Sequence, residues 1–123
     1  MRVIIAGNRT FNDYEFLKQQ CNDILHGTPQ SRIQFLSGGA TGADALGERY
    51  ARECWSKDPQ VFPADWETHG NAAGPIRNKQ MAENADMLIA FWDGKSKGTG
   101  DMIKQAYKMK LDVERISLLS DEV

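Results

Sequence analysis

Three glycines fall within five residues in the stretch Ser37-Gly38-Gly39-Ala40-Thr41-Gly42-Ala43-Asp44, which follows an apolar run from Ile33 to Leu36 and opens onto a helical pattern. Glycine lets a backbone turn tightly and approach a bound group without a Cβ in the way. A helix start leaves its first N–H groups unpaired and carries a partial positive charge. Strand, glycine-rich turn and helix N-terminus together suit an anion, phosphate above all. The same small residues also suit close packing in an ordinary strand-to-helix turn. A second turn with Gly94, Gly98, Thr99 and Gly100 comes late in the chain, and two arginines, Arg9 and Arg77, stand near turns of their own. The carboxylates available for acid–base work or for sugar hydroxyls are Asp44, Asp65 and Asp101.

Such groups need a scaffold that brings separate turns to one edge. The run from Arg2 to Ala6, ended by Gly7, has the pattern of a strand buried on both faces. Asn12 and Glu15 have capping-box spacing, with Phe11 and Phe16 as a hydrophobic staple. Leu17, Cys21, Ile24 and Leu25 then recur at helical spacing until Gly27. A second strand covers about Ile33 to Ser37, and a second helix carries Ala43, Leu46, Tyr50, Ala51 and Cys54 on one face. After a short strand from Gln60 to Phe62, the stretch Pro63 to Gly74 shows no periodicity and reads as a working loop. Pro75 opens a third helix running to about Ala85. Met87 to Phe91 is a fourth strand, and Trp92 to Gly100 is the second glycine turn. Met102, Ile103, Ala106 and Tyr107 mark a fourth helix, and Asp112 to Leu118 a last strand. Strand and helix alternate, which predicts an α/β fold: a doubly wound, mostly parallel sheet of about five strands with helices on both faces. Ligands of such sheets sit beyond the carboxyl ends of the strands, where these turns fall.

The chain has 123 residues, read as one domain over 1–123, with 15 basic and 17 acidic residues and a net charge of −2. That balance argues against a broad polyanion-binding surface and against nucleic acid, and leaves room for a local phosphate site. Cys21 and Cys54 fall on the apolar faces of helices, with no disulfide or metal-ligand spacing, so no metal and no cofactor is expected. No signal peptide is read at the N-terminus, and no apolar run reaches the ~18 residues of a membrane span. The expected setting is the cytoplasm. The oligomeric state, a homo-oligomer included, stays open.

Familiar nucleotide motifs are absent. A dinucleotide fingerprint needs G-x-G-x-x-G after the first strand, where Gly7-Asn8-Arg9 offers one glycine. A Walker A loop ends in G-K-[ST], where this chain has Gly42-Ala43-Asp44. Five ordered motifs nevertheless resemble the SLOG superfamily, and its small YspA/YpsA-related branch in particular. They are Gly7-Asn8-Arg9, Gly38-Gly39-Ala40-Thr41-Gly42-Ala43-Asp44, Phe62-Pro63-Ala64-Asp65-Trp66, Gly74-Pro75-Ile76-Arg77-Asn78-Lys79-Gln80-Met81 and Gly98-Thr99. The resemblance implies a Rossmann-like fold and a nucleotide or nucleotide-derived ligand. Relatives include the lonely-guy (LOG) phosphoribohydrolases, which cleave base from ribose 5′-monophosphate, and the DNA-processing protein DprA. The LOG turn reads P-G-G-x-G-T-x-x-E after an arginine-bearing helix. Gly98-Thr99-Gly100-Asp101 resembles its end and Arg77 its arginine, but no Pro-Gly-Gly precedes Gly98 and Asp101 is shorter than glutamate.

Each candidate has two readings. Arg77, placed in the first turn of its helix, either contacts phosphate or is solvated; Asn78 either donates to a ligand or faces water. Thr41 and Asp44 fit a capping box, while Asp44 also fits ribose hydroxyls, with the amides of Gly39 to Gly42 on the phosphate. Arg9 contacts phosphate or base, or only solvent. Trp66, next to Asp65 in the long loop, either stacks on a base or closes the core. Asp101 caps a helix or serves catalysis. The expected function is a binding module for a nucleotide or nucleotide-derived molecule. The alternatives are a LOG-like hydrolase acting through Asp101 and, by analogy with DprA, single-strand DNA binding.

Overall fold

The computed structural model describes residues 1–118. Five strands, β1 (Arg2–Gly7), β2 (Gln34–Ser37), β3 (Gln60–Val61), β4 (Met87–Trp92) and β5 (Asp112–Ser117), form one sheet in the order β3-β2-β1-β4-β5. Every pairing is parallel. The helices are α1 (Tyr14–Ile24), α2 (Ala43–Trp55), α3 (Trp66–His69), α4 (Ala73–Glu83) and α5 (Lys97–Lys108). The chain moves from β1 outward to β3, then returns to lie on the other side of β1. Right-handed crossovers running in opposite directions across a sheet must lie on opposite faces, which makes the sheet doubly wound.

The period-two alternation of the strands divides the core accordingly. Val3, Ile5, Phe35, Ile89 and Phe91 pack with Leu17, Cys21, Tyr50 and Ala51 of α1 and α2. Ile4, Ala6, Leu36, Leu88 and Ala90 pack with Met81, Met102, Ile103 and Ala106 of α4 and α5. Each of the larger of these side chains (valine, leucine, isoleucine, phenylalanine or methionine), fully buried, stabilises the fold by about 1.5–3 kcal/mol relative to exposure. The apolar runs of β1 and β4 are therefore those of two-sided strands, whereas β5 is an edge strand in which only Val113 and Ile116 are half-buried and the rest exposed.

Local chemistry departs from the sequence expectation at several points. Asp13, not Asn12, caps α1, accepting from the Phe16 amide at 3.1 Å. Phe11 and Phe16 still meet edge to face, with ring centroids 6.3 Å apart. Cys54 is exposed, and only Cys21 behaves as a core hydrophobe. The stretch from Pro63 to Gly74 is not irregular. It folds into α3, a 3₁₀ turn over Gly70–Ala72, and the start of α4, because Asp65 accepts from the Thr68 amide at 3.2 Å and caps a helix. α4 begins at Ala73, two residues before Pro75, and ends at Glu83. The late turn is shorter than expected: Asp93 accepts from the amides of Lys95 and Ser96, and Gly98, Thr99 and Gly100 already lie in the first turns of α5.

Candidate functional site

The carboxyl ends of β1 and β2 carry the first two turns, and Asn8 ties them together. Its amide donates to the Phe91 carbonyl at 3.0 Å, and its own carbonyl accepts from Phe11 and Ala43 at 3.2 and 3.1 Å. Its side-chain oxygen accepts from the Asp93 amide at 3.2 Å. Gly42 sits flush against this turn with φ +75°; a Cβ there would stand 2.3 Å from the Asn8 carbonyl oxygen. Thr41 donates its hydroxyl to the Arg9 carbonyl at 3.3 Å. The Thr41–Asp44 capping box is thus not formed: Gly42 is the N-cap residue, with no side-chain cap.

Asp44 instead reaches back to the loop and accepts from the Ala40 amide at 3.2 Å. The Gly39 amide donates to the Ser37 hydroxyl at 3.1 Å, and that hydroxyl donates to Glu48 at 2.6 Å. Two of the amides expected to hold phosphate therefore already have protein acceptors, and Ser37 and Glu48, which sequence reasoning did not single out, shape the loop. Asp44 is 6% exposed. Burial pushes its carboxyl up to about 6, against the pull of the Ala40 amide and of Arg77.

Arg77 lies in the second turn of α4, not the first. It donates to the Gly38 carbonyl through one terminal nitrogen and, through Nε, to the Asn78 side-chain oxygen at 3.0 Å. Gly38 is pressed between Arg77 and Asp44, so a Cβ there would lie 2.7 Å from the guanidinium and 2.8 Å from the carboxylate. Asn78 neither faces water nor stands free. It is buried and donates to the Gly98 carbonyl at 3.2 Å and to Asp101 at 3.0 Å, clamping α4 to α5. Asp101 is the fifth residue of α5 and does not cap it; the N-cap position belongs to Ser96.

Three concavities open around Arg9 and Arg77. A cavity of about 410 Å³ is lined by Arg9, Arg77, Trp66 and the loop from Gly38 to Thr41, with Val61, Pro63 and Ala64 as its far wall. Beneath it a recess of about 50 Å³ is lined by Gly7, Arg9, Ala40, Asp44, Arg77, Asn78, Gly98 and Thr99. On the α5 side, a cavity of about 290 Å³ shares Arg9, Trp66 and Arg77 and adds Asn71, Asn78, Lys97 and Asp101. Trp66 is 50% exposed, so it does not close the core. Gly42 and Asp65 line none of the three, being held in packing and in the α3 cap. Val61, Lys97 and Asn71 carried no sequence signal beyond their place near the motifs.

The two arginines of this edge lack carboxylate partners among the described residues. Among the described residues Arg9 makes no side-chain hydrogen bond, and neither arginine has an ion pair. Burial lowers the Arg77 guanidinium, Asp44 opposes that shift, and Arg9 adds to it by like-charge repulsion. Among the described residues no three His, Cys, Asp or Glu side chains gather as a metal would require. No described helix is long and apolar enough to cross a membrane.

Comparison with known proteins places this architecture. The fold is similar to that of DNA processing protein A from Helicobacter pylori, a structure described for its single-stranded DNA binding mode. The TM-score is 0.70 at 17% identity, over 99% of this chain and 67% of that one. The chain is 36% identical over 117 residues to the Gene 61 protein of Mycobacterium phage D29, covering 91% of this chain and 93% of that protein. A family model matches residues 1–69, a span that holds β1, the glycine loop and α2. On that match and that relative, the chain belongs to the YspA, cpYpsA-related SLOG family.

Proposed function

We propose that this chain binds a nucleotide or nucleotide-derived small molecule in the groove at the carboxyl edge of its sheet. One observation carries the reading: Arg9 and Arg77 both line the 410 Å³ cavity, and among the described residues neither has an ion-paired carboxylate, Asp44 being the counter-charge that acts on Arg77. Two like charges held together are unfavourable until an anion neutralises them, and guanidinium–phosphate hydrogen bonds are among the stronger polar contacts. The cavity of about 410 Å³ falls within the size range of small-molecule sites, and the exposed Trp66 ring beside it offers a stacking face for a base. Because the Gly39 and Ala40 amides are committed elsewhere, the arginine side chains rather than a nest of backbone amides would supply the main phosphate contacts.

Thermal shift with nucleoside mono-, di- and triphosphates tests the reading. A ligand at ~100 times its dissociation constant should stabilise the chain by about 2.7 kcal/mol. No shift with any phosphorylated ligand at millimolar concentration would refute it. An oligodeoxynucleotide belongs in the same panel, because the Helicobacter protein binds single-stranded DNA, although the net charge of −2 speaks against an extended strand path here. A hydrolytic use of the groove rests on Asp101, whose carboxylate is held by Asn78 and lines the α5-side cavity. Its test is the release of free base from AMP, which Asp101→Asn would abolish.

A further inference from the structure

A carboxylate lies behind the two arginines. Asp44 is buried, accepts from the Ala40 amide at 3.2 Å and has no ion pair among the described residues. The point above Gly38 where a Cβ would stand is 2.7 Å from a terminal nitrogen of Arg77 and 2.8 Å from an Asp44 oxygen. Arg9, Asp44 and Arg77 together line the recess of about 50 Å³, whereas the cavity of about 410 Å³ above it is lined by the two arginines without Asp44. An anion in the cavity and the carboxylate in the recess therefore draw on the same positive charge.

The groups around Asp44 decide where a proton would go. Burial pushes its carboxyl up to about 6; the Ala40 amide, Arg77 of α4 and Arg9 after β1 pull it down, and Glu48, one turn on in α2, adds to the rise. From the α5 side the recess receives Ser96, Gly98, Thr99 and Met102, none of them charged. Glu48 has donors of its own, the Ser37 hydroxyl at 2.6 Å and Arg52 at 3.9 Å. That leaves Asp44 as the carboxylate an added negative charge would protonate. The anion cancels the pull of the arginines, and like charge in a poorly solvated site favours the neutral carboxyl. By volume the recess can take a water molecule, which gives the proton a way in from solvent.

Resting on the reading above that an anion binds at Arg9 and Arg77, we infer that Asp44 takes up a proton as the anion arrives, so that binding at this edge tightens as pH falls. The proton comes from water or buffer and ends on a carboxylate oxygen; no other bond is made or broken. Below about pH 6 the free chain already holds this proton, and the tightening is largely complete. Above it, affinity falls as pH rises, until the carboxyl of the bound chain has ionised as well.

Calorimetric titration with inorganic sulfate, whose own charge is constant between pH 5.5 and 8, tests this on the wild-type chain. Sulfate should bind about five- to tenfold more tightly at pH 5.5 than at pH 8. At pH 7 the heats in Tris and in bis-Tris should differ by the ionisation of about 0.4 proton per sulfate bound. Asp44→Asn should bind sulfate at pH 8 about as tightly as the wild type does at pH 5.5, with no uptake of protons. Wild-type affinity independent of pH would overturn the inference and leave the nucleotide reading standing. A pH dependence that survives in Asp44→Asn, as titration of His26 or His69 would produce, would overturn it equally. So would an absence of sulfate binding at pH 5.5, while the nucleotide panel decides the earlier reading separately.

Discussion

Replacing Asp44 by asparagine should make the ligand-free protein more stable at neutral pH, and only there. Asp44 is 6% exposed, and its one hydrogen bond among the described residues comes from the Ala40 amide at 3.2 Å. Burial raises its carboxyl from the ordinary 3.8 to about 6, with Arg77 and the Ala40 amide opposing and Glu48 adding to the rise. Between those two values the folded chain holds a proton that the unfolded chain has released, so stability falls as pH rises through this window. The contribution is complete below about pH 4 and lost above about pH 6. At about 1.4 kcal/mol per tenfold change in acidity, the ionised carboxylate costs the fold on the order of 3 kcal/mol at pH 7.5. Asparagine keeps an acceptor for the Ala40 amide and carries no charge. Urea unfolding of both proteins at pH 4, 5, 6 and 7.5 should give curves that nearly coincide at pH 4 and separate by about 2–3 kcal/mol at pH 7.5. A difference independent of pH, or a variant less stable at pH 7.5, would refute the reasoning.

Four further outcomes follow from the same geometry. Arg9→Ala should change stability by less than about 0.5 kcal/mol, since among the described residues its side chain makes no hydrogen bond or ion pair, while weakening a phosphorylated ligand about 10- to 100-fold by calorimetry. Arg77→Ala should weaken ligand and fold together, because it also releases the Gly38 carbonyl. Gly42→Ala should cost about 2 kcal/mol or more in urea unfolding, whereas Gly70→Ala, with a similarly positive φ but open space around it, should cost only about 1–2 kcal/mol. AMP incubated with the wild-type chain should stay intact by chromatography, because Asp101 is tied to Asn78 and one methylene shorter than the glutamate of the LOG turn.

The strands and long helices were legible because apolar periodicity records burial, and burial is what the doubly wound sheet distributes between two faces. What escaped was chemistry decided by contacts distant in sequence. The Thr41–Asp44 spacing matched a capping box, yet Gly42 packs on the Asn8 turn and directs Asp44 to Ala40 instead. Gly98 and Gly100 read as breakers, but α5 begins before them: Thr99 is buried, and a Cβ on Gly100 would meet Trp92 at 3.2 Å. Tertiary packing there overrides propensity. The helical turns from Trp66 to Ala72 are too short to show a period, and their signal was the Asp65 cap. At the site, Arg9 and Arg77 were readable as cations on the ligand edge. The bridging role of Asn78 was not, since it exists only once α4 and α5 lie side by side.

Asn8 has a mechanical consequence. By holding Phe91, Phe11, Ala43 and Asp93 at once, it welds the turns after β1 and β4 and the start of α2 into one rigid piece. A ligand of the proposed kind would therefore meet, at Arg9, a backbone whose shape was fixed when the chain folded, and little backbone ordering entropy would remain to be lost on contact. Such a surface behaves as a mould rather than a clamp. Recognition of a ligand at this end of the groove should be quick and intolerant of misfit.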